Sequence, residues 1–217
     1  MIKNIIFDLD GTLVDSIDDI YHCVNTTLTH FNLKNITIED AHNFVGNGAR
    51  VLIKDAVNKY NNNENIEEEV YSFYMKYYEE HCVDNTKLYC GVYDTLELLY
   101  KHSINMFIIS NKPNKMVKKT AEKLNIINFF KAVIGDGVYP YRKPDVNIWY
   151  GIKNDYHLKE DETIMVGDGV PDYEFAVNSK IKCILALYGI TDKNILINLN
   201  NNDYYLNSFK EIADYVL

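Results

Sequence analysis

The sequence predicts an α/β fold in which a doubly wound parallel sheet carries an inserted, all-helical cap subdomain. Three patterns support this prediction. Short apolar runs end in polar clusters, helical patterns alternate with these runs from residue 87 onward, and residues 16 to 86 show helical spacing with no strand pattern. Because such alternation is typical of a parallel sheet covered by helices, we expect a Rossmann-like core.

Five apolar runs are the predicted strands of this core. Continuous runs of this kind are typical of strands buried on both faces. The runs are Asn4–Phe7, Ile104–Ile109, Ala132–Ile134, Thr163–Val166 and Cys183–Leu187. Helical patterns cover Tyr93–Tyr100, Met116–Leu124 and Tyr173–Asn178, and a last helix carries Phe209, Ile212 and Val216, with Ser208 as its N-cap.

The segment between the first strand and residue 87 is predicted to be helical throughout. Its apolar residues recur at i, i+3, i+4 and i+7, which places helices over Ile17–Phe31, Ala49–Tyr60 and residues 66–80. We therefore predict a core domain of residues 1–15 and 86–217 and a helical cap domain of residues 16–85. The aromatic stripe of the third helix is expected to pack inside the cap.

Composition limits the class of partner. The chain has 217 residues, 47% of them apolar, and a formal charge of −9, which disfavours a general nucleic-acid or anionic-membrane binder. Residues 15 to 86 carry 13 acidic and five basic side chains, so most of the acidity belongs to the predicted cap. The runs of asparagine at 61–63 and 200–202 are predicted surface loops.

The cysteines and the N-terminus indicate the compartment. The four cysteines form no C-x-x-C pair and are expected to be free, mostly buried thiols. The apolar run at the N-terminus stops at Asp8, far short of a signal peptide or a membrane span. We therefore expect a cytoplasmic protein that does not associate with membranes.

Acidic side chains follow two of the predicted strands. Asp8 and Asp10 stand two residues apart at the end of the first strand, Gly11 lets the chain turn there, and Asp168 follows a later strand. Like charges this close repel unless a cation lies between them, and three carboxylates suit Mg²⁺. The alternative for Asp8 and Asp10 alone is an Asx-turn that ends the strand.

Three further elements lie at predicted strand ends or in glycine-rich loops. Ser110 and Asn111 follow a strand and precede a helix, where a hydroxyl and backbone N–H groups can bind phosphate, although Ser is also an ordinary N-cap. Lys143 follows a glycine-rich stretch, and a lone lysine there is usually solvated. Asp168 and Asp172 share a glycine loop, where one can hold a metal and the other can orient it from behind.

These elements, in this order, resemble the haloacid dehalogenase superfamily of phosphohydrolases over essentially the whole chain. The first motif, DLDGTLVDS from Asp8 to Ser16, is the most specific. The helical insertion resembles the cap of the phosphoglycolate phosphatase and β-phosphoglucomutase-like branch, and the loop Val45–Ala49 looks like its substrate-facing loop, with a plain Gly-Asn-Gly turn as the alternative. Two departures are Val146, where many relatives have proline, and Gly169, where Ser or Thr is common.

The resemblance implies a Mg²⁺-dependent phosphatase that acts on a small phosphorylated metabolite, with phosphoglycolate as the first candidate. Asp8 would attack phosphorus to form an aspartyl-phosphate, and Asp10 would act as general acid and then general base. Mg²⁺ would be held by Asp8, the backbone carbonyl of Asp10 and Asp168, with Asp172 behind them. The residues implied to bind phosphate or substrate are Leu9, Ser110, Asn111 and Lys143 from the core and Asn47 and Arg50 from the cap.

Alternative functions remain open at this point. A β-phosphoglucomutase-like phosphosugar mutase or a pyrophosphatase would use the same elements. A dehalogenase is disfavoured because such enzymes lack a carboxylate at the position of Asp10. A receiver domain of a signalling relay also combines acidic residues with Ser or Thr and Lys, but it is about half this length and its acceptor ends an internal strand. The chain is expected to be a monomer or a homodimer.

Overall fold

The computed structural model describes residues 1–61, 66–199 and 204–217, with the side chain of residue 61 left out. Most of the two asparagine runs at 61–63 and 200–202 therefore lies outside the described residues. None of the described helices is both long and apolar enough to cross a bilayer. All four cysteines are free thiols, and three of them are buried, as predicted.

The core is a six-stranded sheet in the order β5-β4-β1-β6-β7-β8, and every neighbouring pair is parallel. Its strands are β1 (Asn4–Phe7), β4 (Asn105–Pro113), β5 (Phe130–Asp136), β6 (Thr163–Gly167), β7 (Lys182–Ala186) and β8 (Tyr205–Leu206). The chain moves outward from β1 through β4 to β5 and then returns to the other side of β1. This order confirms the doubly wound α/β prediction.

Helices cover both faces of the sheet, and alternate strand residues face opposite layers. Ile5 packs with the helices α5 (Val92–Lys101) and α6 (Asn114–Lys123), whereas Ile6 packs on the other face with Trp149 and Phe175. Both isoleucines have no solvent exposure. The remaining helices of the core are α7 (Asn147–Tyr156), α8 (Val170–Ser179), α9 (Lys193–Leu199) and α10 (Ile212–Val216).

Residues 16–85, called the insertion below, contain α1 (Ile17–His30), α2 (Ile38–Phe44), α3 (Ala49–Asn61) and α4 (Glu67–His81). Their buried faces form a separate apolar cluster that includes the aromatic residues Tyr74 and Tyr78. The chain enters and leaves the insertion through β2 (Val14–Asp15) and β3 (Lys87–Leu88), which pair antiparallel. The two linkers therefore lie side by side.

Two lysines of the core also donate hydrogen bonds to carbonyls at and just after the C-terminal end of α4. Lys119 Nζ on α6 donates to the carbonyls of Glu79 and Glu80 at 2.6 and 2.8 Å, and Lys123 Nζ donates to the carbonyl of Val83 at 2.7 Å. These carbonyls have no helical partner of their own, and cations at a helix C-terminus are favourable.

Several elements differ from the prediction because short or polar segments depend on tertiary contacts. The elements α2, α7, α9 and β8 were not predicted, and β4 continues to Pro113 instead of ending at Ile109. Thr37 begins α2 with a reciprocal capping box to Asp40. Ser208 precedes a short 3-10 helix, but its side chain makes no capping hydrogen bond there.

Candidate active site

The acidic side chains meet at the switch point of the sheet, where the chain stops adding strands on one side of β1 and continues on the other side. Strands β4, β1 and β6 are adjacent, and their carboxyl ends carry Ser110, Asp8 and Asp168. Ligands of open parallel sheets bind in the crevice at such a switch point. The strand order thus brings together residues that are more than 100 positions apart in the chain.

Three carboxylates cluster in this crevice. One oxygen each of Asp8, Asp168 and Asp172 lies within 4.8 Å of the other two. Asp168 Oδ1 accepts from Thr12 Oγ1 at 2.9 Å, and its Oδ2 accepts from the backbone N–H of Ile190 at 2.8 Å. These two bonds fix the orientation of Asp168.

Two glycines leave the space that Asp168 occupies. A Cβ on Gly11 would stand 2.0 Å from Asp168 Oδ2, and one on Gly189 would stand 2.3 Å from Asp168 Cβ. Gly11 also has φ +80°, a backbone conformation that disfavours other residues. Any side chain at either position would displace the carboxylate.

Burial and mutual repulsion destabilise the charged forms of this cluster. Burial raises the pKa of Asp8 to about 7, and neighbouring Asp172 and Asp10 add to the rise while Lys143 opposes it. Burial and the charges of Asp8 and Asp172 raise the pKa of Asp168 to about 8. A cation among hard oxygen donors would relieve this repulsion, so the residues present fit a divalent metal ion such as Mg²⁺.

Lys143 is buried between two of these acids. Its Nζ lies 3.0 Å from Asp8 Oδ1 and 2.6 Å from Asp172 Oδ1. Burial alone would lower the pKa of Lys143, but the carboxylates of Asp172 and Asp8 outweigh it and raise that pKa. Asp172 Oδ2 accepts from the backbone N–H of Gly169 at 2.9 Å, so protein donors engage both oxygens of Asp172.

Asp10 lines the same cavity but has its own hydrogen-bond partners. Its Oδ1 accepts from Ser16 Oγ at 2.6 Å and from Lys112 Nζ at 2.7 Å. The Asp10 side chain is therefore held by a hydroxyl and an ammonium, and it is not one of the three clustered carboxylates.

Ser110 and Asn111 lie in the last part of β4, three and two residues before Pro113 at the start of α6. The prediction that they follow the strand was wrong, because β4 continues past an irregularity in its pairing with β5, so that α6 begins only at Asn114. Asn111 Nδ2 donates to the carbonyls of Gly46 and Lys143, both at 2.9 Å. Asn111 thereby joins a loop of the insertion to the loop that carries Lys143.

A cavity opens between the carboxylates and the insertion. Asp8, Asp10, Ser110, Asn111 and Lys112 line its core side, together with Asp168 and Asp172. Its opposite wall is formed by Ile20, Val45, Leu52, Tyr74 and Tyr78 of the insertion.

Two predicted substrate contacts from the insertion lie elsewhere. The Arg50 guanidinium pairs with Glu68 at 2.6 Å and stacks 4.1 Å from the centroid of Tyr71, on the exposed surface. Asn47 is exposed and lines a neighbouring cleft, whereas Gly46 and Gly48 on either side of it line the cavity. The structure therefore does not bring Arg50 or Asn47 to the cavity, because the loop exposes Asn47 and Arg50 lies on an exposed face of α3.

Comparison with protein families settles the relationship that this geometry suggests. The model of the family described as haloacid dehalogenase-like hydrolase matches residues 5–186, which include Lys143 and all of the clustered carboxylates. The chain belongs to this family. The resemblance predicted from the motifs is thus confirmed.

Named relatives of this haloacid dehalogenase-like hydrolase point in one direction. It is 31% identical to a phosphoglycolate phosphatase of Chromobacterium violaceum, over 98% of this chain and 96% of the relative. It is 29% identical to one of Photobacterium profundum, over 99% and 96% of the two chains. A crystal structure of a predicted phosphoglycolate phosphatase from Haemophilus somnus superposes with a TM-score of 0.94 at 27% identity, covering 100% and 98%.

Sequence reasoning missed three residues of this hydrolase's site. Thr12 and Ser16 belong to the first motif, and their hydroxyls hold Asp168 and Asp10, respectively. Lys112 follows Asn111 directly and pairs with Asp10. Their signal was proximity in sequence to the predicted site residues, but only the folded chain shows which acid each one contacts.

Proposed function

We propose that this protein is a Mg²⁺-dependent phosphatase that hydrolyses a small phosphate monoester, such as phosphoglycolate, through an aspartyl-phosphate on Asp8. One observation carries the proposal. A buried ammonium, Lys143, and three crowded carboxylates meet at the switch point of the sheet, beside a cavity that the core and the insertion both line. The relatives named phosphoglycolate phosphatase support it.

Asp8 is the proposed nucleophile. Lys143 Nζ and the backbone N–H of Leu9 both contact Asp8 Oδ1, at 3.0 and 2.7 Å. These two donors hold one oxygen in place and favour the charged carboxylate, which leaves Oδ2 to attack phosphorus in line. We propose that Ser110 and Asn111, which line the cavity, and Lys143 and Leu9, which contact Asp8, bind the transferred phosphoryl group.

Asp8, Asp168 and the backbone carbonyl of Asp10 would hold Mg²⁺, and Asp172 would orient the site through Lys143 and Gly169. When bound, the ion supplies positive charge that offsets repulsion between a carboxylate and a phosphate dianion.

Asp10 is the proposed general acid and base. It would protonate the leaving oxygen when Asp8 is phosphorylated, and it would take a proton from the water that later attacks the aspartyl-phosphate. Ser16 and Lys112 fix Oδ1 of Asp10, so that its second oxygen is the one available for proton transfer.

The insertion is the proposed cap over this reaction, with residues 1–15 and 86–217 as the core domain and residues 16–85 as the cap domain. The paired linkers β2 and β3 are the place where it can rotate, and contacts from Asn111 to Gly46 and from His42 Nδ1 to the Ile190 carbonyl join the two domains above the cavity. Closure of this kind excludes water during phosphoryl transfer.

The test is phosphate release from phosphoglycolate by the purified chain. We expect turnover with Mg²⁺ that is lost in EDTA and in Asp8→Asn, whereas the exposed Asp18→Asn keeps it. Rapid acid quench with substrate labelled in the phosphoryl group should leave label on the wild type and none on Asp8→Asn. Release that persists in Asp8→Asn or in EDTA contradicts the proposal, and label transfer to a sugar hydroxyl in place of water would identify a mutase.

A further inference from the structure

Lys112 is a buried ammonium that positions Asp10 but has no contact with substrate in the proposed phosphoryl transfer. Its side chain is 2% exposed, and Nζ donates to Asp10 Oδ1 at 2.7 Å. The same nitrogen lies 5.1 Å from the centroid of the Tyr78 ring, on the cap side of the cavity. Lys112 thus stands between the proposed general acid and the wall that a leaving group would meet.

The hydrogen bonding of Lys112 is incomplete. A lysine ammonium has three N–H donors, and in the described part of the chain only Asp10 Oδ1 accepts from Nζ. Holding an ammonium out of water with few acceptors is unfavourable. A ligand that brings acceptor oxygens into the cavity would satisfy the remaining donors.

The surroundings of Lys112 define the charge of such a ligand. Among the described residues that line the cavity, Lys112 carries the one cationic side chain, since Lys143 is not among them and its ammonium pairs with Asp8 and Asp172. The facing wall consists of Ile20, Leu52 and other apolar or aromatic side chains. An anionic group placed against this wall has Lys112 as its cationic partner.

We propose that Lys112 determines specificity by binding a carboxylate on the leaving group, one carbon away from the ester oxygen. The inference rests on the proposed function, which puts the ester oxygen beside Asp10. A proton donor lies about 2.6–3.2 Å from the oxygen it protonates. Because Nζ contacts the same Asp10 side chain, a carboxylate on the next carbon comes within reach of Nζ.

Two other classes of leaving group fit this wall less well. A sugar carries several hydroxyls that each need a polar partner, whereas Ile20, Val45 and Leu52 of this wall offer no side-chain donor or acceptor and leave that role to the hydroxyls of Tyr74 and Tyr78. A phosphate leaving group, as in pyrophosphate, brings up to two negative charges to a single ammonium. A carboxylate matches one ammonium in charge and in hydrogen-bonding geometry.

The experiment compares kcat/KM for four substrates with wild-type enzyme and Mg²⁺. The substrates are phosphoglycolate, 2-hydroxyethyl phosphate with a neutral leaving group, phosphoethanolamine with a cationic leaving group, and pyrophosphate. We expect phosphoglycolate to exceed 2-hydroxyethyl phosphate by about 10- to 100-fold, the contribution of a charge-assisted hydrogen bond, with most of the difference in KM. Phosphoethanolamine should be the poorest. The inference is overturned if kcat/KM for 2-hydroxyethyl phosphate or for pyrophosphate equals or exceeds that for phosphoglycolate.

Variants then assign the preference to Lys112. In Lys112→Met the ratio of phosphoglycolate to 2-hydroxyethyl phosphate should fall to near unity, and Lys112→Arg should keep most of it. The matched control is Lys115→Met, which removes an exposed lysine three residues away that pairs with Glu79 outside the cavity. A ratio unchanged in Lys112→Met overturns the inference. Should that variant fail to fold, the wild-type substrate series and Lys112→Arg decide it.

The substrate ratio separates this inference from the proposed function. Hydrolysis of 2-hydroxyethyl phosphate that depends on Asp8 but comes with no preference for the anionic ester contradicts only the role of Lys112. Hydrolysis that survives Asp8→Asn contradicts the proposed function itself.

Discussion

Asp19 in the first turn of α1 forms hydrogen bonds that join the start of the insertion to its end. The variant Asp19→Ala tests how much these bonds stabilise the fold. The carboxylate is 2% exposed and accepts from the backbone N–H and the hydroxyl of Thr86 at 2.8 and 2.6 Å. It also accepts from the backbone N–H of Asn85 at 3.0 Å. These bonds join the start of the insertion to its end, 66 and 67 residues later.

The magnitude follows from the donors that lose their acceptor. Asn85 is exposed and can turn to water, whereas Thr86 is buried. The Thr86 hydroxyl retains a long contact of 3.4 Å to the carbonyl of Cys82, but the Thr86 N–H keeps none in the described structure. Each stranded buried donor costs ~1–3 kcal/mol, so we expect a loss of ~2–4 kcal/mol. For a chain of this size that lowers Tm by roughly 4–16 °C.

Thermal unfolding followed by circular dichroism measures this loss, with Asp18→Ala as the control. Asp18 stands in the same helical turn and is exposed, so it shares the interaction with the helix dipole but not the buried hydrogen bonds. We expect Asp18→Ala to change stability by less than about 1 kcal/mol. Equal Tm shifts in the two variants would refute the reasoning.

The stabilisation that Asp19 provides should also depend on pH. Burial alone would raise the pKa of Asp19, but the hydrogen bonds from Thr86 and Asn85 outweigh it and hold that pKa below its ordinary value of 3.8. A lowered pKa stabilises the fold above the unfolded value, and this contribution is lost as pH falls through the folded value. The difference in stability between wild type and Asp19→Ala should therefore be constant near neutrality and shrink below about pH 4.

Two further predictions concern the site. Asp10→Asn removes the proposed proton donor and should lower kcat on an alkyl phosphate by ~10²–10⁴-fold. The loss should be much smaller on p-nitrophenyl phosphate, because its leaving group needs no proton. Equal losses on both substrates would contradict the role of Asp10. Gly11→Ala places a Cβ 2.0 Å from Asp168 Oδ2 and should weaken Mg²⁺ binding, which is measured as a loss of the Mg²⁺-dependent rise in Tm. The control is Gly137→Ala, which is also at positive φ but has open space around it and should retain that rise.

Much of the fold and part of the site could be predicted from the sequence because their signals are local. Buried strands such as Asn4–Phe7 and Thr163–Val166 appear as unbroken apolar runs, and the polar residue that ends each run marks the edge where ligands bind. Helical periodicity likewise located α1, α3 and α4 to within about a residue of their observed bounds. Segments without such a pattern, including α7 and β8, form because tertiary contacts support them.

The fold class, the family and the candidate residues Asp8 and Asp168 follow from the sequence, since a motif and its position at a strand end suffice for these, and the family resemblance adds Lys143. The partners of each charge, by contrast, depend on the tertiary structure. In the folded chain Arg50 pairs with Glu68 on the surface, whereas Lys112 lines the cavity and pairs with Asp10. The physical reason is that strand order and the packing of the insertion decide which distant charges share a site with little water, and neither leaves a periodic trace in the chain.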